Sequence, residues 1–124
     1  MKGRVLDVGG KSVLTRGNFV PPKEACTKWE YVNIDKNTNP DYLCEASNIP
    51  LNDLSIDCLL LCEVLEHVSN PELTIKEAFR LLNKGGTCII SMPFLYPIHA
   101  DPNDYQRWTN VKINKILKDC GFSE

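Results

Sequence analysis

The sequence predicts an α/β fold, a doubly wound and mostly parallel sheet with helices on both faces. Three observations carry this expectation. The apolar runs are short and are separated by helical patterns rather than by hairpin turns. The first run, Arg4-Val5-Leu6-Asp7-Val8, ends beside a carboxylate and opens straight into Gly9-Gly10. The second, Tyr31-Val32-Asn33-Ile34, is followed at once by another acid, Asp35.

Taken in order, strands are expected at about 4–8, 31–34, 42–44, 56–61 and 87–91. Glycine after the first strand lets the backbone turn closely against a small ligand at the carboxyl end of a parallel sheet. Between the first two strands, Gly17 and Pro21-Pro22 interrupt the helical pattern, so a short helix is expected around 22–29 with an irregular loop before it. Glu45-Ala46-Ser47-Asn48-Ile49-Pro50-Leu51 reads as a loop with an acid at its start. Asn70-Pro71-Glu72 gives a capping residue, a proline at the first helical position and an acid in the first turn. Leu73, Ile75, Ala78, Phe79, Leu81 and Leu82 then supply a buried face, and Gly85-Gly86 ends the helix. A last helix starts near Thr109 or Asn110, with Ile113, Ile116, Leu117 and Cys120 at helical spacing.

A chain of 124 residues holds one core, so residues 1–124 are expected to form a single domain. The net charge of -2 gives no electrostatic reason to expect nucleic acid as the main partner. No apolar run reaches the ~20 residues of a membrane span, and no basic-then-apolar leader opens the chain, so the expected location is the cytoplasm. Cys26, Cys44, Cys58, Cys62, Cys88 and Cys120 form no Cys-x-x-Cys pair, and several fall in apolar runs. They read as reduced thiols in a core, not as a disulfide or zinc framework.

Together with Cys62-Glu63-Val64-Leu65-Glu66-His67-Val68, the order of these motifs resembles class I S-adenosylmethionine-dependent methyltransferases over nearly the whole chain. The resemblance implies a Rossmann-like fold and S-adenosyl-L-methionine as cofactor. It implies that Gly9 and Gly10 let the chain approach the methionyl tail while Asp7 orients that loop or meets the amino group. Asp35 would accept from the ribose hydroxyls, Glu45 would meet the adenine amino group, Ala46 would offer its backbone amide, and Cys62 would line the site through backbone atoms. Bottom-up, Asp35-Lys36-Asn37 is also ordinary turn chemistry. Lys11 stands where the family usually has its last glycine. With Leu14 it disfavours a nicotinamide-type glycine pattern. The full family fold adds two further strands at the sheet edge. Their lack predicts either a fragment or a homo-oligomer or partner chain that covers the edge.

Glu63, Glu66 and His67 would share one face of a helix and so suit a divalent cation. Some small-RNA and quinone-pathway O-methyltransferases use a similar set. The reading adopted is the plainer one, with no metal and with these residues ordering the loop beside the cofactor. The segment from Met92 to Thr109 combines prolines with aromatics, and its His-x-x-Pro-x-Asp-Tyr-x-Arg-x-Thr pattern resembles small methyltransferases linked with sugar or cell-surface polymer biosynthesis. His99 is the best proton acceptor there by its ordinary pKa of ~6.5. Asp104 would orient it or act as base itself, and Arg107 would clamp an acidic group of the acceptor. The alternative for the pair is a local Asp104–Arg107 ion pair, with Thr109 as helix cap. The expected function is methyl transfer to an oxygen or nitrogen of a small or saccharide-like acceptor. The rival is a non-catalytic binding or scaffolding module on the same fold.

Overall fold

The computed structural model describes residues 1–11, 20–100 and 103–123. Strand β1 runs Gly3–Val8, β2 Cys26–Asn33, β3 Tyr42–Leu43, β4 Ile56–Cys62 and β5 Leu82–Ser91; helix α1 spans Pro71–Leu81 and α2 Asn110–Asp119. The strands form one sheet in the order β3-β2-β1-β4-β5, and every neighbouring pair is parallel. The chain therefore winds outward from β1 to β3, returns past β1 to β4, and winds out the other way. In sheets of this kind ligands bind at the point of reversal, which here falls at the carboxyl ends of β1 and β4.

The pleat divides the core. Leu6, Val8, Val32, Leu59 and Leu61 join one large buried cluster, while Val5, Cys58 and Leu60 form a smaller one. Ile75, Ala78 and Leu81 of α1 complete the large cluster, and Ile113, Ile116, Leu117 and Cys120 of α2 pack against it. Among the described residues, both α-helices thus lie on that side of the sheet. The cysteines are all free, and burial pushes the thiols of Cys44, Cys58 and Cys120 up and that of Cys88 up to about 12. They behave as the small hydrophobes expected.

Helix α1 begins where its caps place it. The Asn70 side chain accepts from the Leu73 amide at 3.3 Å, and Pro71 occupies the first turn. Its buried face is Pro71, Thr74, Ile75, Glu77, Ala78 and Leu81. Leu73 and Phe79, expected inside, are nearly half exposed, and Phe79 meets the Phe122 ring edge-on at 5.1 Å. Helix α2 starts as predicted, with Thr109 Oγ1 accepting from the Lys112 amide at 3.2 Å.

Two boundaries differ from expectation. The helix predicted at 22–29 is a single 3-10 turn, Lys23–Ala25, and β2 already begins at Cys26. The reason is Glu30, which lies opposite Leu6 of β1 and gathers Arg4 Nε at 2.6 Å, Lys28 Nζ at 2.7 Å and the Tyr42 hydroxyl at 2.7 Å. This knot draws β1, β2 and β3 together and extends the strand backward. Similarly, Gly85-Gly86 does not end α1. The helix stops at Leu81, and β5 runs from Leu82 with an irregularity in which a step of two along β4, from Ile56 to Cys58, is matched by a step of five along β5, from Leu82 to Thr87. Gly85, at φ +76°, serves that irregularity. The irregular loop predicted before residue 22 falls largely outside the described residues.

Candidate functional site

The first half of the site is built from the turns that leave β1 and β2. Gly9 adopts φ +75°, and its amide donates to the Val32 carbonyl at 2.7 Å. That N–H is therefore spent inside the fold. Gly10 follows directly above Asp7, which is buried; a Cβ on Gly10 would stand 2.4 Å from the Asp7 carboxyl carbon.

Asn33, the last residue of β2, joins the two turns. Its Nδ2 donates to the Gly10 carbonyl at 3.1 Å and to that of Gly9 at 3.4 Å, while its Oδ1 accepts from the Asp35 amide at 3.0 Å. This is the only amide orientation in which donors meet acceptors. Asp35 is exposed and uses Oδ1 to cap the 3-10 turn Lys36–Thr38, accepting from the Asn37 amide at 2.9 Å. The turn reading and the ligand reading of Asp35 are thus compatible: the cap fixes the carboxylate in place. Sequence reasoning passed over Asn33 in favour of Asp35, and the available signal was a side-chain amide at the strand's last position. Asn33→Ala removes three hydrogen bonds at once and is expected to destabilise the fold by about 1–3 kcal/mol. Urea unfolding of the two proteins checks this, and coincident curves would refute the linking role.

Beside these turns, Glu45 is exposed, Ala46 is buried and Ile49 is 2% exposed. Helix α1 positions their loop. Glu77 Oε1 accepts from the Ile49 amide at 2.8 Å and the Arg80 guanidinium at 2.7 Å, and Arg80 reaches the carbonyls of Leu51 and Ile49 at 2.9 and 3.1 Å. Cys62 ends β4, half-buried.

The second half of the site follows β4. Residues 63–67 form successive turns, not the helix expected, because Glu63 takes the left-handed conformation at φ +55°. Its carboxylate accepts from Ser91 Oγ at 2.8 Å. Glu63 therefore does not share a helical face with Glu66 and His67. Instead the segment after β5 folds over these turns. Tyr105 N–H donates to the Glu66 carbonyl at 2.7 Å, and Gln106 Nε2 donates to the carbonyls of Leu65 and Val68 at 2.8 and 2.9 Å. That lacing brings in His99, whose ring meets those of His67 and Tyr96 edge-on at 5.0 and 5.2 Å.

Asp104 orients His99. Its Oδ2 accepts from the His99 amide at 2.8 Å and lies 3.5 Å from His99 Nδ1. The Arg107 guanidinium, then the His99 amide, hold the Asp104 carboxyl far below the usual carboxylate range. Arg107 grips Asp104 through both terminal nitrogens, Nη2 to Oδ2 at 2.7 Å, and also reaches the Gln106 carbonyl at 2.9 Å. Its fork is committed to Asp104, as the ion-pair reading has it. Glu66 is fully buried, and burial pushes its carboxyl pKa up.

This fold defines a Rossmann-like α/β protein with turns gathered at the carboxyl ends of its strands. Residues 23–90 match the family model described as a methyltransferase domain, more than half of the chain, and the chain belongs to that family. A 37.1 kDa protein in transposon TN4556 of Streptomyces fradiae is 39% identical over 80 residues, which cover 62% of this chain and 23% of that protein. Among solved structures, a SAM-dependent methyltransferase from Archaeoglobus fulgidus superposes with a TM-score of 0.76 at 17% identity, covering 98% of this chain and 61% of that one. Phosphoethanolamine N-methyltransferase 2 of Haemonchus contortus, solved in complex with S-adenosyl-L-methionine, gives a TM-score of 0.70 at 17% identity, covering 96% of this chain and 33% of that one. The chain thus spans about a quarter of the Streptomyces relative and less than two thirds of these structures. No helix among the described residues is long and apolar enough to cross a membrane.

Proposed function

We propose that residues 1–124 are the cofactor-binding domain of an S-adenosyl-L-methionine-dependent methyltransferase acting on an oxygen or nitrogen of a small or saccharide-like acceptor. The observation that supports this most is the Asn33 linkage, which holds the glycine turn and the Asp35 turn together at the carboxyl ends of the strands. The residues fit such a cofactor. Asp35 is exposed and fixed by its cap, ready to accept from a ribose diol. Gly10 has no side chain to collide with buried Asp7, so the turn lies close over the end of β1. Asp7 supports that turn from beneath. Glu45 offers a carboxylate to an exocyclic amine, Ala46 a backbone amide to the ring, and Cys62 backbone atoms along the wall.

When bound, the cofactor supplies a sulfonium methyl group that is electrophilic towards oxygen and nitrogen. The chain's own part is alignment and proton handling. On the acceptor side, His99 meets the acceptor, Asp104 sets the tautomer and direction of its ring, and Arg107 positions Asp104. Tyr96 and its exposed neighbours Phe94 and Leu95 offer flat apolar surface to that acceptor. The outer edge of β5 has no paired strand among the described residues. In this reading a partner chain, a second copy, or strands of a longer protein cover it.

Titration calorimetry with S-adenosylmethionine and S-adenosylhomocysteine tests the reading. Both are expected to bind, and Asp35→Ala is expected to weaken both by about 10- to 100-fold, the worth of a charge-assisted pair of hydrogen bonds. No heat from either compound, with the protein folded, would favour the non-catalytic module.

A further inference from the structure

We propose that Glu66, His67 and His99 bind one divalent transition-metal ion, with zinc the best chemical match. One ligand atom from each residue lies within 4.8 Å of the other two. Glu66 Oε1 and His67 Nε2 stand 3.4 Å apart, about the separation of two ligands on a tetrahedral zinc with bonds of ~2.1 Å.

Three independent features point to a cation there. First, Glu66 is fully buried, and neither carboxylate oxygen has a hydrogen-bond partner. An orphaned carboxylate in such a place is costly, and a bound cation satisfies both its charge and its lone pairs. Second, Nδ1 of each imidazole is held by protein oxygen. His67 Nδ1 donates to the Asn103 carbonyl at 2.5 Å, and His99 Nδ1 to the Pro97 carbonyl at 3.2 Å, with Asp104 Oδ2 at 3.5 Å. With the proton on Nδ1, Nε2 of each ring holds the lone pair, and metal-binding histidines are held in this way by carbonyls and carboxylates. Third, the ligand set is coherent. Two imidazoles and a carboxylate suit zinc and the neighbouring divalent metals better than magnesium or calcium, and three protein ligands leave a position for water or an acceptor oxygen. The competing arrangement is a protonated Glu66 donating to His67 Nε2, which needs no ion.

The inference goes beyond the methyltransferase reading and does not rest on it, because the ion is titrated without cofactor or acceptor. If it holds, His99 meets the acceptor through the ion rather than as a free base. The test uses the full chain stripped with a chelator and then titrated with zinc by calorimetry and with cobalt by visible absorption. One ion per chain is expected, with d–d bands of a low-coordinate nitrogen and oxygen site. His67→Ala, His99→Ala and Glu66→Gln are each expected to weaken binding at least tenfold, while Glu72→Gln, on the exposed side of α1, leaves it unchanged. Zinc should raise the melting temperature of the wild-type chain and leave that of Glu66→Gln in place. Glu66→Gln removes a buried charge without removing volume, so it stays folded and keeps the comparison valid. Thiolate-to-cobalt charge-transfer bands would assign the ion to cysteine and overturn the proposal. So would magnesium-only binding, or zinc uptake that His99→Ala and Glu66→Gln leave intact.

Discussion

Gly10→Ala is expected to cost about 1–3 kcal/mol of stability and to weaken S-adenosylhomocysteine binding by at least 100-fold. The added Cβ would stand 2.4, 2.5 and 2.7 Å from the carboxyl carbon and the two oxygens of Asp7. An exposed carboxylate would swing aside. Asp7 is 4% exposed, and its backbone is paired to Tyr31 on one side and Leu60 on the other. The strain therefore passes to the turn, whose carbonyls Asn33 holds, and from there to the Asp35 turn. Differential scanning calorimetry and ligand titration on the same preparation check both parts. An alanine variant with the wild-type melting temperature and affinity would show that Asp7 yields easily and that the turn is not a close-approach site.

The second large effect lies away from the site. Glu30→Gln is expected to lose on the order of 3 kcal/mol at pH 7, most of it absent at pH 3. Glu30 is 1% exposed. Burial works to raise its pKa, but the hydrogen bonds from Arg4, then Lys28 and Tyr42, outweigh it and hold the carboxyl at about 2 instead of the ordinary 4.5. A folded-state pKa below the unfolded one means that the contribution is complete above about 4.5. It fades as the pH falls towards 2. Urea unfolding of both proteins at pH 7 and pH 3 measures the gap, and a gap equal at the two values would mean that the charge network adds nothing. The variant keeps the shape of the side chain, so the loss reports the charge and not a cavity.

Local signals proved the most legible. The cap and proline of α1 and the Thr109 cap of α2 are contained within a few residues, and both helices start where those residues say. The glycine turn and the acid after β2 are equally local. What the sequence concealed depends on partners far along the chain. The first half of β2 is extended because Glu30 meets Arg4 and Tyr42, and the early start of β5 comes from pairing with β4 rather than from its own glycines. Glu63 looked like a member of a helical face, but a left-handed backbone at that one position sends it to Ser91 instead. His99 joins Glu66 and His67 because Gln106, Tyr105 and Asn103 stitch its segment over the turn, a closure of more than 30 residues that no spacing rule announces.

A single carboxamide stands behind both loops that would face the two ends of an elongated guest. Any change that tilts one loop pulls on the other, so on the proposed reading a change made for an altered nucleoside would also disturb the turn meant for the amino-acid end. Asn33→Asp illustrates the hazard: the oxygen that replaces Nδ2 would confront the two carbonyls that this nitrogen now serves, and an otherwise conservative exchange would loosen the glycine turn that the amide holds.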